Sequence, residues 1–210
     1  MHHLEQAQVR HDQLFCRPQR VAPLNRTEHA DEIISATTRL KNAVSGADGP
    51  PVPLEHCPDM VATLMRYPKL WDRLSLLSAQ LQSADATLPV RVRQLAIMRT
   101  VWLCGAPYQW GEHLARTKLA GVSEAEIERL QHGSDGGDWK PFDRAVIAAV
   151  DDYHSDHFVS EATWIELAAQ LDESQLVELL VLIGQFASVA FVLNSLRMRL
   201  EPHNKGFLTI

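Results

Sequence analysis

The sequence predicts an all-α protein. Three observations carry this: apolar residues recur at helical spacing in stretch after stretch, two of those stretches open with a capping pattern, and no strand-like alternation persists beyond four residues. Seven to nine helices are expected, with no internal repeat.

Residues 1–22 are polar, His-rich and aperiodic, and are expected to form a loose arm ahead of a single helical domain over 23–210. After Pro23, Thr27 is a candidate N-cap, and Ile33, Ile34, Leu40 and Val44 follow at rough helical spacing. The Pro- and Gly-dense start of 46–60 makes that segment a linker. The apolar stripes beyond it divide into two helices at Pro68, because proline disfavours helix in the residue before it. Pro89 suits the first turn of the next helix. That helix places Val92, Leu95, Ala96, Trp102 and Leu103 on one side and Arg91, Arg93 and Arg99 on the other, until Gly105 and Pro107 interrupt it.

A helix from Tyr108 then stops at Gly121, and Ser123 with Glu126 forms a capping box for the next. Two amphipathic helices follow, in "WKPFDRAVIAAVDDYHSDH" and "SEATWIELAAQL". The last helix opens with the D-x-x-Q cap of Asp172 and Gln175. At roughly 27 residues it would be roughly 40 Å long, so a break near Gly184 is expected. Its core from Leu176 to Leu193 is apolar enough to raise the question of a membrane span. Glu178, Gln185 and Ser188 lie inside it, however, and a charge at mid-bilayer costs ~2.5–3.5 kcal/mol. A central buried helix or a subunit interface is expected instead, and with it a homo-oligomer.

Composition narrows the function classes. Hydrophobic residues make up 46% and charged residues 22%, as in globular proteins, and the net charge of −6 leaves no footprint for a nucleic-acid backbone. Cys16, Cys57 and Cys104 form neither a C-x-x-C pair nor a disulfide framework, and the first twenty residues carry no apolar signal core. A cytoplasmic protein without a membrane partner is expected. No Gly-rich phosphate loop and no G-x-S-x-G occur, and the five tryptophans sit singly, as packing residues do.

One cluster suits proton transfer: Gln94, Cys104, Tyr108, Gln109, Glu112 and His113 gather around the junction of two helices. Gln109 and His113 are four apart and share a face, and Tyr108 and Glu112 share the next. A second group, Asp151, His154 and His157, reads D-x-x-H-x-x-H; these positions drift round a helix and do not suit one metal. No metal and no cofactor are expected.

The stretch "RVRQLAIMRTVWLCGAPYQWGEHLARTKLAGVSEAEIERL" resembles the carboxymuconolactone decarboxylase family, which has the alkylhydroperoxidase-D-like helical fold. It is similar to the branch that reads R-x-R-E-L-x-I-L-R, then Y-E-W-x-x-H, then A-G-L-S-x-x-E-I. The resemblance covers roughly residues 20–200. It implies a bundle of that fold, often trimeric or hexameric, with a site at His113. The peroxidase branch's glutamate falls on Gln94 and its two cysteines on Ala106 and Gln109, so its dithiol cycle has no counterpart here. The glutamate of Y-E-W-x-x-H is Gln109, which hydrogen-bonds but takes no proton as a base.

The resemblance therefore implies a cofactor-free enzyme performing proton transfer or decarboxylation on a small anionic carbonyl or lactone compound. His113 would be the acid/base, with Glu112 as a second candidate, and Gln94, Tyr108, Gln109, His154 and Gln185 would contact substrate. Two alternatives stand beside it: a thiol peroxidase using Cys104, and a non-catalytic oligomeric ligand-binding homologue.

Overall fold

Helical spacing in the sequence becomes helix almost everywhere. The computed structural model describes residues 2–208, so the last two residues of the expected domain lie outside it. The elements are α1 His2–Phe15, α2 Ala30–Ser45, α3 Asp59–Leu64, α4 Pro68–Gln80, α5 Val90–Leu103, α6 Pro107–Leu119, α7 Glu124–Leu130, α8 Pro141–Asp156, α9 Glu161–Ala168 and α10 Glu173–Leu196. Two short 3-10 turns lie at Leu54–His56 and Gly206–Leu208, and no strand occurs among the described residues.

The ten α-helices among the described residues exceed the expected seven to nine because the segment expected to be a loose arm carries α1. The arm is tied down by Arg10, whose Nε donates to the Gly105 carbonyl at 2.9 Å. Pro68 divides α3 from α4 as expected, and both capping boxes form, Ser123 with Glu126 and Asp172 with Gln175. Thr27 does not cap α2; His29 stands at its N-cap without a side-chain bond, and Asn25 closes the turn ahead of it, its side-chain oxygen accepting from the Thr27 and Glu28 amides.

Helix α5 is the axis of the larger layer, with Val92 to Val101 buried all round and α6, α8 and α10 packed against it. The arginines expected on its outer side are therefore inside or half-buried. Each donates to acceptors from other segments, although the Arg93 Nε is enclosed without a partner. Arg99 donates Nε to Asp151 at 2.6 Å and Nη1 to the Leu130 and Gln131 carbonyls. Arg93 donates to the Leu81 and Ser83 carbonyls, and Arg91 pairs with Glu126 and Asp143. Removing one partner from such a buried pair costs about 3–5 kcal/mol, since the other charge is left unmatched.

Helix α10 runs unbroken through Gly184. A Cβ there would meet nothing, so the glycine is no sign of a close approach or bend. One face buries Leu179, Leu182, Ile183 and Ala190, and the other leaves Val177, Leu180 and Val181 exposed. Among the described residues α10 alone is long and apolar enough to cross a membrane. Helices α2, α3 and α4 form a second layer with smaller cores around Ile33 and around Ala36, Val61 and Trp71. The candidate site lies between this layer and α6 with α10.

Candidate functional site

A cavity of about 380 Å³ opens between the two layers. Each wall is one stripe of a helix, spaced as helical geometry requires: Leu40, Lys41 and Val44 of α2, Trp71, Ser75 and Ser78 of α4, Tyr108, Gln109, Glu112, His113 and Arg116 of α6, and Gln185, Phe186, Val189 and Leu193 of α10. The interior is mainly apolar. Its exposed rim carries two cations, Lys41 and Arg116.

His113 is 6% exposed. Its Nδ1 faces the Gln94 side-chain oxygen at 3.3 Å, and its ring stands edge-on to Phe186 with centroids 5.1 Å apart. Thr117 packs on the same glutamine oxygen at 3.1 Å. Gln94 itself does not line the cavity. It sits behind His113 and sets the ring's orientation, leaving Nε2 for a cavity occupant. Burial, reinforced by the Arg116 charge, lowers the His113 pKa to about 3. The imidazole is therefore neutral at ordinary pH. An unfolded His113 would titrate near its ordinary 6.5. Stability is thus unaffected above that value and falls as pH drops from 6.5 toward 3, by about 1.4 kcal/mol per pH unit for one proton.

Gln109 is likewise buried. Its Nε2 donates to the Phe186 carbonyl at a long 3.4 Å, and its Oε1 is enclosed without a partner. Gln185 lines the cavity and donates to the Ser78 hydroxyl at 3.2 Å. Tyr108 lines it too, but its hydroxyl is committed to Glu201 at 2.8 Å. Burial first, then the nearby carboxylates, raises the Tyr108 pKa, so this group is a phenol and not a base. The Glu201 carboxyl is also pushed up, chiefly by burial. Glu112 reaches the lining, yet its Oε1 accepts from Asn204 at 2.8 Å and faces His203 at 3.1 Å. That leaves it a fixture of the C-terminal tail more than a free base. The tail is seated closely: a Cβ on Gly111 would overlap the Asn204 side chain.

Two expected site residues lie elsewhere. His154 was expected to line the His113 cavity, but it is exposed in the last turn of α8 and absent from the lining. There it meets the negative end of the helix dipole. Cys104 caps α5 and borders a different hollow beside Arg10. Burial raises its pKa, and Arg10 only partly opposes this. Three site residues were not foreseen. Arg116 shares the face of Gln109 and His113, three residues beyond the latter, so spacing could have found it. Lys41 and Glu201 come from distant segments and leave no local signal.

The arrangement of helices has known counterparts. It matches an uncharacterised peroxidase-related protein from Ralstonia eutropha with the alkylhydroperoxidase AhpD core, at a TM-score of 0.70 and 16% identity, over 89% of this chain and 94% of that one. The fold is AhpD-like. The debrominase Bmp8 superposes at a TM-score of 0.68 and 15% identity, over 88% of this chain and 94% of that one. Its cysteine-to-alanine variant has been crystallised with 2,3,4-tribromopyrrole. A protein of unknown function from Agrobacterium tumefaciens, suggested to be the antioxidant defence protein AhpD, matches at 0.59 and 17% identity, over 65% of this chain and 93% of that one. No protein-family model and no curated protein sequence matches the chain. At these identities the likeness establishes the fold and leaves the reaction open.

Proposed function

We propose that this AhpD-like protein is a cofactor-free enzyme that moves a proton on a small anionic carbonyl or lactone compound, with loss of carbon dioxide where the substrate carries a suitably placed carboxylate. One observation carries the proposal: a buried neutral His113, held from behind by Gln94, lies in an apolar cavity rimmed by Lys41 and Arg116.

The rim cations suit the substrate carboxylate, and the apolar interior suits the carbon skeleton. Bringing an anion beside His113 reverses the local electrostatics and raises its pKa, so the ring takes up a proton when substrate binds. When the carbon–carboxylate bond breaks, carbon dioxide leaves and the electron pair passes into an enolate. The Gln109 and Gln185 amides are the groups at hand to hydrogen-bond the developing charge. His113 then returns its proton to carbon. Neither Glu112 nor Tyr108 is needed as a base.

The peroxidase alternative is less well supported, because Cys104 lies outside this cavity and its thiol is pushed up. Self-association through the exposed Val177, Leu180 and Val181 of α10 belongs to the proposal, and sedimentation as a monomer would remove it.

The test is a panel of β-keto acids and carboxylated γ-lactones, followed by carbon dioxide release and by deuterium uptake at carbon. Hydroperoxide consumption with a dithiol is measured in parallel. Turnover of a panel member by both wild type and Cys104→Ser is expected. Hydroperoxide consumption that depends on Cys104, with no reaction on the panel, would overturn it.

A further inference from the structure

A second hollow, of about 450 Å³, lies where α1 and the segment after it meet the ends of α5 and α10. Arg10, Arg20 and Arg197 line it, and no Asp or Glu does among the described residues. This concentration of positive charge stands in a chain of net charge −6. Two of the three arginines have a structural task. Arg10 donates to the Gly105 and Cys104 carbonyls at the end of α5, and Arg20 donates Nη1 to the Ser195 carbonyl at the end of α10. Cations at helix C-termini are ordinary caps.

Arg197 has no such task. Its side chain makes no hydrogen bond or ion pair in the described structure, although its backbone N–H bonds the Asn194 and Leu193 carbonyls at the end of α10. It also occupies the position just past α10 with φ 54° and ψ 49°, left-handed backbone that glycine adopts freely and side chains resist. Its backbone closes the helix, but glycine would do that without strain, and the unmatched guanidinium has no part in it. An anion between the guanidiniums would account for it.

We propose that this hollow is a binding site for a phosphate monoester carrying an aromatic or apolar group, separate from the His113 cavity. Guanidinium forks match the oxygens of phosphate, and three of them without a carboxylate suit a dianion. Arg20 keeps Nε and Nη2 for the ligand, since only its Nη1 is spent on the Ser195 carbonyl. The Phe191 ring, 73% exposed on the wall, gives the organic part a surface to lie on.

Calorimetric titration of the full chain with phenyl phosphate and with inorganic phosphate, at fixed ionic strength, tests this. Both probes are expected to bind, phenyl phosphate the tighter. Arg197→Gly should weaken both by about tenfold or more while raising the thermal midpoint, because it removes the charge and the backbone strain together. Arg197→Met removes the charge and leaves the backbone as it is, and should weaken both probes alike. Phe191→Ala should weaken phenyl phosphate alone, and Arg116→Met, at the rim of the His113 cavity, should weaken neither. Wild-type affinity in both Arg197 variants, absence of binding by either probe, or loss of binding in Arg116→Met would overturn the site.

Discussion

Replacing His113 by asparagine lowers kcat on a responsive carbonyl acid by about 10²–10⁴, the range a positioned proton-transfer group supplies. KM should change little, because the proposal gives the substrate's charge to Lys41 and Arg116 of the cavity lining and not to the imidazole. Arg116→Met gives the opposite pattern, a raised KM with a smaller effect on kcat. Steady-state kinetics on the two variants separates the roles. Equal losses of kcat in both would mean that His113 and Arg116 act as one unit, and an unchanged kcat in His113→Asn would remove the imidazole from the chemistry.

Trp110→Ala destabilises the fold by about 3–5 kcal/mol, the usual range for emptying a fully buried aromatic site. Trp110 is fully buried, with its ring 5.4 Å from Trp102 and 5.6 Å from Phe207. Phe207 belongs to the tail whose Asn204 binds the Tyr108 carbonyl and Glu112, and whose Glu201 binds the Tyr108 hydroxyl. The loss is therefore felt twice, in the core and in the tail that braces α6 beneath the site. Urea unfolding measures it. Trp110→Phe keeps a ring against Phe207 and should cost clearly less. Equal losses in the two variants would show that the retained ring and its volume contribute nothing there.

The Gln109–His113 face of α6 was legible because a helix converts a spacing of four directly into shared surface, and a spacing of three from His113 reaches Arg116, which went unread. The capping boxes at Ser123 and Asp172 were legible for the same reason, since both partners are local. What escaped depends on long-range contacts. Arg91, Arg93 and Arg99 looked like a solvated face, because the acceptors that allow their burial lie 10 to 52 residues away in sequence. Glu201 meets Tyr108 across 93 residues, so nothing near either one announces the pair. His154 was placed in the cavity by analogy of position, but α8 turns that residue to solvent. Helix α1 lacks an apolar repeat, and Arg10 docks it on carbonyls that no periodicity can show.

On the proposed mechanism His113 is neutral until an anion enters the cavity, and takes a proton then. Following the His113 imidazole by nitrogen-15 NMR, with and without a saturating panel acid, addresses it most directly. In the free protein the ring should stay neutral down to a pKa of about 3. With the acid bound, the pKa should move upward, toward or beyond the ordinary value. A free-protein titration near 6.5 that the ligand leaves unchanged would contradict the account, for it would place His113 in water and out of reach of the cavity's charge.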